Sequence, residues 1–153
     1  MKIFNTPIIG RIPLNLNGVF KRIESITNEY YWYGIKGIYC TDSENIEIGN
    51  CTGHYCSTKF KDAEIFIDLY YKDGNKNRFT LFYNNLPCML INAGFCKDEW
   101  NLAFTLLHEL GHHLKLTNEI ECHKFALKIM KKENFKKYNK NIKYLYLDEL
   151  LVG

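Results

Sequence analysis

The apolar positions of this chain change period part-way along it. From Asn17 to Tyr33, the residues Phe20, Ile23, Ile26 and Tyr30 recur at helical spacing, which predicts an amphipathic helix. Gly34 and Gly37 interrupt the pattern, Ile35–Cys40 reads as a short strand, residues 1–15 read as extended, and a weak strand is expected at Ile46–Ile48. Between 64 and 72 the alternation is clean: Ile65, Ile67, Leu69 and Tyr71 face one way, and Glu64, Phe66, Asp68 and Tyr70 the other. Asp73-Gly74-Asn75 is a turn signal and Arg78–Tyr83 alternates again, so a hairpin is predicted, ended by Pro87. From Asp98, a plausible N-cap, the period becomes helical, with Trp100, Phe104, Leu107, Leu110, Gly111 and Leu114 in one stripe. A break at Leu116–Asn118 leads to a second helix over 119–132, and a third is expected from Phe135 to Leu151. Strands precede helices. The fold class is therefore α+β, a small twisted antiparallel or mixed sheet from the amino-terminal half packed on carboxy-terminal helices.

Composition narrows the class. The 153 residues suit a single domain, 1–153, built on one core. With 46% apolar and 24% charged residues, the chain is not of the disordered type. A net charge of +3 is too small to imply a nucleic-acid partner. The lysines from Lys124 to Lys143 read as a solvated helix face, since stacking aromatics are not interleaved among them. No apolar run approaches the roughly 20 residues that span a bilayer, and Met1–Pro7 lacks the apolar core of a secretion signal. The expectation is a cytoplasmic protein, no membrane partner, and six cysteines held as reduced thiols.

One motif carries chemistry. His108-Glu109-Leu110-Gly111-His112 matches H-E-x-x-H inside a predicted helix. Residues i and i+4 lie one above the other on a helix face, so two imidazoles can converge on one ion at about 2.0–2.1 Å. Glu109 is rotated by about 100° from His108. Its carboxylate can reach a water on the metal without ligating the metal. That arrangement suits metal-assisted hydrolysis, with His108 and His112 as ligands, Glu109 as the catalytic base and zinc as the cofactor. A third protein ligand is needed. The metzincin extension would require Gly at 115 and His at 118, where Lys115 and Asn118 stand. The ligand must come from elsewhere, and the next helix, folded back by a turn at Lys115–Asn118, offers candidates. Glu121 is the first choice, with Glu119 and His123 as alternatives. Glu121 also has a structural competitor, because with Asn118 as N-cap it occupies the N3 position of a capping-box-like arrangement. His113 is expected off the metal face.

Thr105-Leu106-Leu107-His108-Glu109-Leu110-Gly111-His112-His113-Leu114, followed by Glu119-Ile120-Glu121-Cys122-His123-Lys124-Phe125-Ala126-Leu127, resembles the ImmA/IrrE family of metallopeptidases. That family shows an HELGH helix and then a helix of the form E-x-E-A-[ND]-x-F-A. On this resemblance Glu121 takes the place of the third ligand, and Phe125 and Ala126 match the Phe-Ala pair. Cys122 stands where the family has a small alanine, and His123 where it has Asn or Asp. The resemblance covers residues 98–130, with a fainter echo over Gly53–Asp68. It implies a zincin-like, gluzincin-type fold and intracellular cleavage of a protein or peptide substrate, often a repressor of a mobile element. Zincins often stabilise the tetrahedral intermediate with a His or Tyr, and His54 and Tyr55 are candidates. The Cys51–Cys56 pair has no partner pair at finger spacing and reads as thiols. The 64–72 strand is a candidate to bind an extended peptide at a sheet edge.

The competing reading is a non-enzymatic regulator or inhibitor from a mobile element, in which a structural metal braces the fold and a host or repressor protein is the partner. A peptide deformylase also uses H-E-x-x-H, but the surroundings of Cys88 and Cys96 do not resemble its E-G-C-x-S motif.

Overall fold

The computed structural model describes residues 1–43, 52–58, 64–116 and 118–132. The expected strand at Ile46–Ile48, the expected helix from Phe135 and residue Cys51 lie outside the described residues. Among the described residues the strands and α-helices run β1 (Lys2–Ile3), β2 (Thr6–Gly10), α1 (Val19–Ile26), β3 (Ile38–Thr41), β4 (Gly53–Cys56), β5 (Ile65–Tyr70), β6 (Lys76–Leu81), β7 (Cys88–Asn92), α2 (Glu99–His113) and α3 (Glu119–Lys132). The class is mixed α+β, with the two longest helices in the carboxy-terminal half.

Five strands form one mixed sheet in the order β1-β2-β3-β7-β4. β3 lies parallel to both β2 and β7, whereas β4 is antiparallel to β7 and forms one edge. β5 and β6 form the separate hairpin that the alternation predicts. Burial follows the pleat. Ile38, Cys40, Met89 and Ile91 join the core under the helices, with Phe20, Ile23, Trp100, Leu106 and Leu110. Tyr39, Cys88 and Leu90 point the other way, into a second core with Ile67, Leu69 and Leu81 of the hairpin. The molecule therefore has three layers: helices, sheet, hairpin. Strand β7 is buried along its whole length, which removes the alternation that would have signalled it. Among the described residues no helix is long and apolar enough to cross a membrane.

Two departures from expectation have local causes. The helix expected over 17–33 is shorter. Thr27 leaves it with φ −118° and ψ 160°, its hydroxyl donating to the Ile23 carbonyl at 2.8 Å and accepting from Trp32 Nε1 at 2.9 Å. The chain then makes a tight turn over Glu29–Trp32, which buries the Trp32 ring. The hairpin's second strand ends at Leu81 rather than Tyr83, because Tyr83–Asn85 closes into a single 3-10 turn.

The helix ends place the site. Asp98 Oδ1 accepts the Asn101 N–H at 2.9 Å and starts α2 as expected. At the far end Lys115 takes a left-handed conformation, φ 65°. Its N–H donates to the His112 carbonyl at 3.0 Å, and the Leu116 N–H donates to Gly111 at 3.1 Å. That is the Schellman pattern, with lysine at the position that usually holds glycine. It reverses the chain, and α3 runs back along α2.

Candidate metal centre

Helix α2 is buried from Leu102 to Gly111, held between the sheet and α3. Its HELGH segment follows from helical spacing: the His108 and His112 rings lie 4.9 Å apart, centroid to centroid, on one face. Both are reached by one carboxylate. Glu119, the first residue of α3, places Oε2 at 2.7 Å from His108 Nε2 and Oε1 at 2.9 Å from His112 Nε2. Glu121 takes a different place. It is exposed, and its backbone N–H is accepted by Asn118 Oδ1 at 2.8 Å, the capping role that competes with ligation. Of the acidic candidates on α3, the structure brings Glu119 onto the two imidazoles.

Burial lowers the His108 pKa to about 4, against the raising effect of Glu119. The ring is therefore neutral at pH 7, and its contact with Glu119 is no ordinary ion pair. Two ring nitrogens and a carboxylate converging from two helices are donors that a divalent cation can take, and the residues present fit one. The other nitrogen of His108 is also engaged: Nδ1 lies 2.8 Å from Nδ1 of buried His123. Such a partner fixes ring orientation and tautomer. His123 thus reaches the site through His108, and its place in the sequence, four residues after Glu119 on a helix, is the signal that it shares Glu119's face.

Glu109 is buried, with one carboxylate oxygen 3.9 Å from His108 Nε2. Burial first, and then Glu119, raise its pKa to about 8. A cation between the imidazoles would pull it back down. Glu109, His112 and Glu119 form one wall of an open cleft of roughly 560 Å³, and Gly53, His54, Tyr55 and Ser57 form the other. The second wall is the edge strand β4 with Ser57 just after it. Gly53 lets it approach: a Cβ there would lie 2.6 Å from Thr105 Cγ2 and 3.3 Å from Glu109 Cγ.

His113 lies off the metal face, as expected, but it is engaged. Its Nε2 lies 2.7 Å from the Tyr33 carbonyl and its Nδ1 lies 2.9 Å from the Tyr55 hydroxyl. A carbonyl accepts only, so Nε2 carries the proton and Tyr55 donates to Nδ1. Burial lowers the His113 pKa and pushes that of Tyr55 up to about 12. The Tyr55 proton is therefore committed to His113 and ties β4 to the last turn of α2. His54 is exposed at the cleft.

A thiol completes the neighbourhood. Cys122 Sγ and one nitrogen from each of His108 and His112 all lie within 4.8 Å of one another. Comparison of the chain with protein-family models, with curated proteins and with solved structures finds no match.

Proposed function

We propose that this chain is a zinc-dependent peptidase of zincin type that hydrolyses a protein or peptide substrate. The observation that carries this reading is the convergence of His108, His112 and Glu119 beside Glu109 on an open cleft. The resemblance of residues 98–130 to ImmA/IrrE metallopeptidases supports it. A zinc ion held by the two histidines and Glu119 would polarise the scissile carbonyl and acidify a water.

The chain's own residues do the rest. Burial keeps His108 neutral and fit to ligate. Glu109 takes the proton of the attacking water and hands it to the leaving amine; a cation beside it would favour the ionised carboxylate that the first half of that transfer needs. The edge strand β4 offers backbone groups along the cleft, so an extended substrate segment can add to it as a further strand. The 64–72 strand, proposed from sequence for that role, pairs on one side with β6 and packs Ile67 and Leu69 on the sheet.

The test is zinc content and peptide-bond cleavage measured together. Wild type should hold about one zinc and cut a denatured protein, His112→Ala should lose the zinc, and Glu109→Gln should keep the zinc and lose cleavage. Wild type without zinc, or Glu109→Gln cutting as fast as wild type, overturns the reading. A second reading, a regulator whose ion braces the α2–α3 crossing, is favoured by Cys122, which would bring the donors to a closed set of four. It expects Glu109→Gln to keep full biological activity and His108→Ala to lose it by unfolding.

A further inference from the structure

We propose that Cys122 is an inner-sphere ligand of the metal, so that His108, His112 and Cys122 form its buried anchor and Glu119 is the exchangeable ligand on the cleft side. The inference rests on the metal site proposed above.

The two donors of α3 reach the histidine pair from different surroundings, Glu119 from the cleft and Cys122 from the interior. Glu119 and Cys122 are three residues apart, hence on one face of α3, and that face meets α2. Cys122 is fully buried, whereas the Glu119 side chain is 67% exposed and lines the cleft. The helices cross at Gly111, where a Cβ would stand 3.2 Å from both Cα and Sγ of Cys122. Gly111 sits between His108 and His112 in sequence, so the missing methyl admits the sulfur beside the two rings. The Phe104 ring lies tilted against both His108 and His123, at 5.9 Å and 5.3 Å between centroids. Imidazole and thiolate are the donors zinc prefers, and a tetrahedral set of two nitrogens, one sulfur and one carboxylate oxygen saturates it. On ligation the S–H bond breaks, its electron pair goes to the metal and the proton leaves to solvent. With a metal bound, Glu119 would be the ligand able to yield its place to substrate or water, because its side chain faces solvent and that of Cys122 does not.

Cobalt(II) alone is the probe, added in one equivalent to metal-stripped full-length protein. The expected spectrum shows a near-ultraviolet thiolate-to-cobalt charge-transfer band. The band should vanish in Cys122→Ala and persist in Glu119→Gln. Zinc affinity should fall in Cys122→Ala by more than the roughly 10–100-fold that outer partners of ligands account for. X-ray absorption of the zinc-loaded wild type gives an independent measure that needs no variant, a sulfur shell at about 2.3 Å. Cobalt bound in a His112-dependent way without the band, and zinc with only nitrogen and oxygen neighbours, overturn the inference and leave the histidine site standing. Failure to bind either ion overturns both.

Discussion

Replacing Gly53 by alanine tests how closely the cleft is built. The added methyl would stand 2.6 Å from Thr105 Cγ2, and 3.3 Å from both Glu109 Cγ and Ile91 Cδ1. Ordinary contact begins near 3.4 Å, so strand and helix must part by about 0.8 Å at Thr105. Thr105 cannot turn away at little cost. It is β-branched on a helix and stiff at χ1, and its hydroxyl is bonded to Thr52 Oγ1 at 3.0 Å. Overpacking of this kind costs about 1–3 kcal/mol, which for a chain of this size is a fall in melting temperature of roughly 2–12 °C. The assay is thermal unfolding of wild type, Gly53→Ala, Thr105→Ser and the double variant. Thr105→Ser removes the clashing Cγ2 and keeps the hydroxyl, so the loss from Gly53→Ala should shrink in that background. A coupling energy of at least about 1 kcal/mol is expected for residues in direct contact. Equal losses in both backgrounds would refute the reasoning, because the penalty would then not arise at Thr105. In the single variant the displaced β4 also moves Tyr55 and the cleft wall, so cleavage should fall further than stability.

Three further outcomes follow from the same geometry. Removing the imidazole partner in His123→Ala should weaken zinc binding by about 10–100-fold, and His123→Asn, which restores an acceptor, should recover part of it; titration against a zinc chelator measures both. Tyr55→Phe leaves His113 Nδ1 without its donor and should cost about 1–3 kcal/mol in denaturant unfolding, and a loss below 0.5 kcal/mol would show that the tie between β4 and α2 is not closed in solution. Among the described thiols, Cys56 should react first with iodoacetamide, because hydrogen bonding from Cys88 lowers its pKa whereas burial raises those of Cys40 and Cys96; peptide mapping after brief alkylation reads the order.

Much of the frame is legible in the pattern of side chains, and the parts that are not have physical reasons. Asp98, the helical stripe from Trp100 to Leu114 and the alternation at 64–72 each become the expected element, although α2 is buried all round from Leu102 to Gly111 and Asp68 is buried on the strand's polar side. Strand β7 has two dry faces, so Cys88–Asn92 carries no period to read. The choice between Glu119 and Glu121 depends on how far α3 is rotated about its axis, and that is set by the turn at Lys115. A glycine there would have announced the Schellman turn and its phase. Lysine in the same left-handed conformation, which costs an L-residue roughly 1–2 kcal/mol, announces nothing.

Glycine carries more of the site than the histidines' spacing suggests. H-E-x-x-H guarantees only that two rings and a carboxylate share about one turn of helix. What surrounds that turn is fixed by two absent methyl groups. Gly53 lets the edge strand close to within contact of Thr105 and Glu109, which buries the carboxylate and raises its proton affinity. Gly111 lets α3 settle against α2, which brings Glu119 onto both rings and Cys122 and His123 behind them. The two contacts lie on different sides of α2, one toward the sheet and one toward α3, so a methyl at either should disturb a different function. Gly53→Ala should act chiefly on Glu109 and cleavage. Gly111→Ala pushes on Cys122 Cα and Sγ at 3.2 Å, so it should weaken zinc binding while leaving the β4 wall in place. Zinc affinity and cleavage rate measured on both variants separate the two effects. If both glycines gave the same profile, α2 would be moving as one body and the site would not be assembled from two independent close approaches.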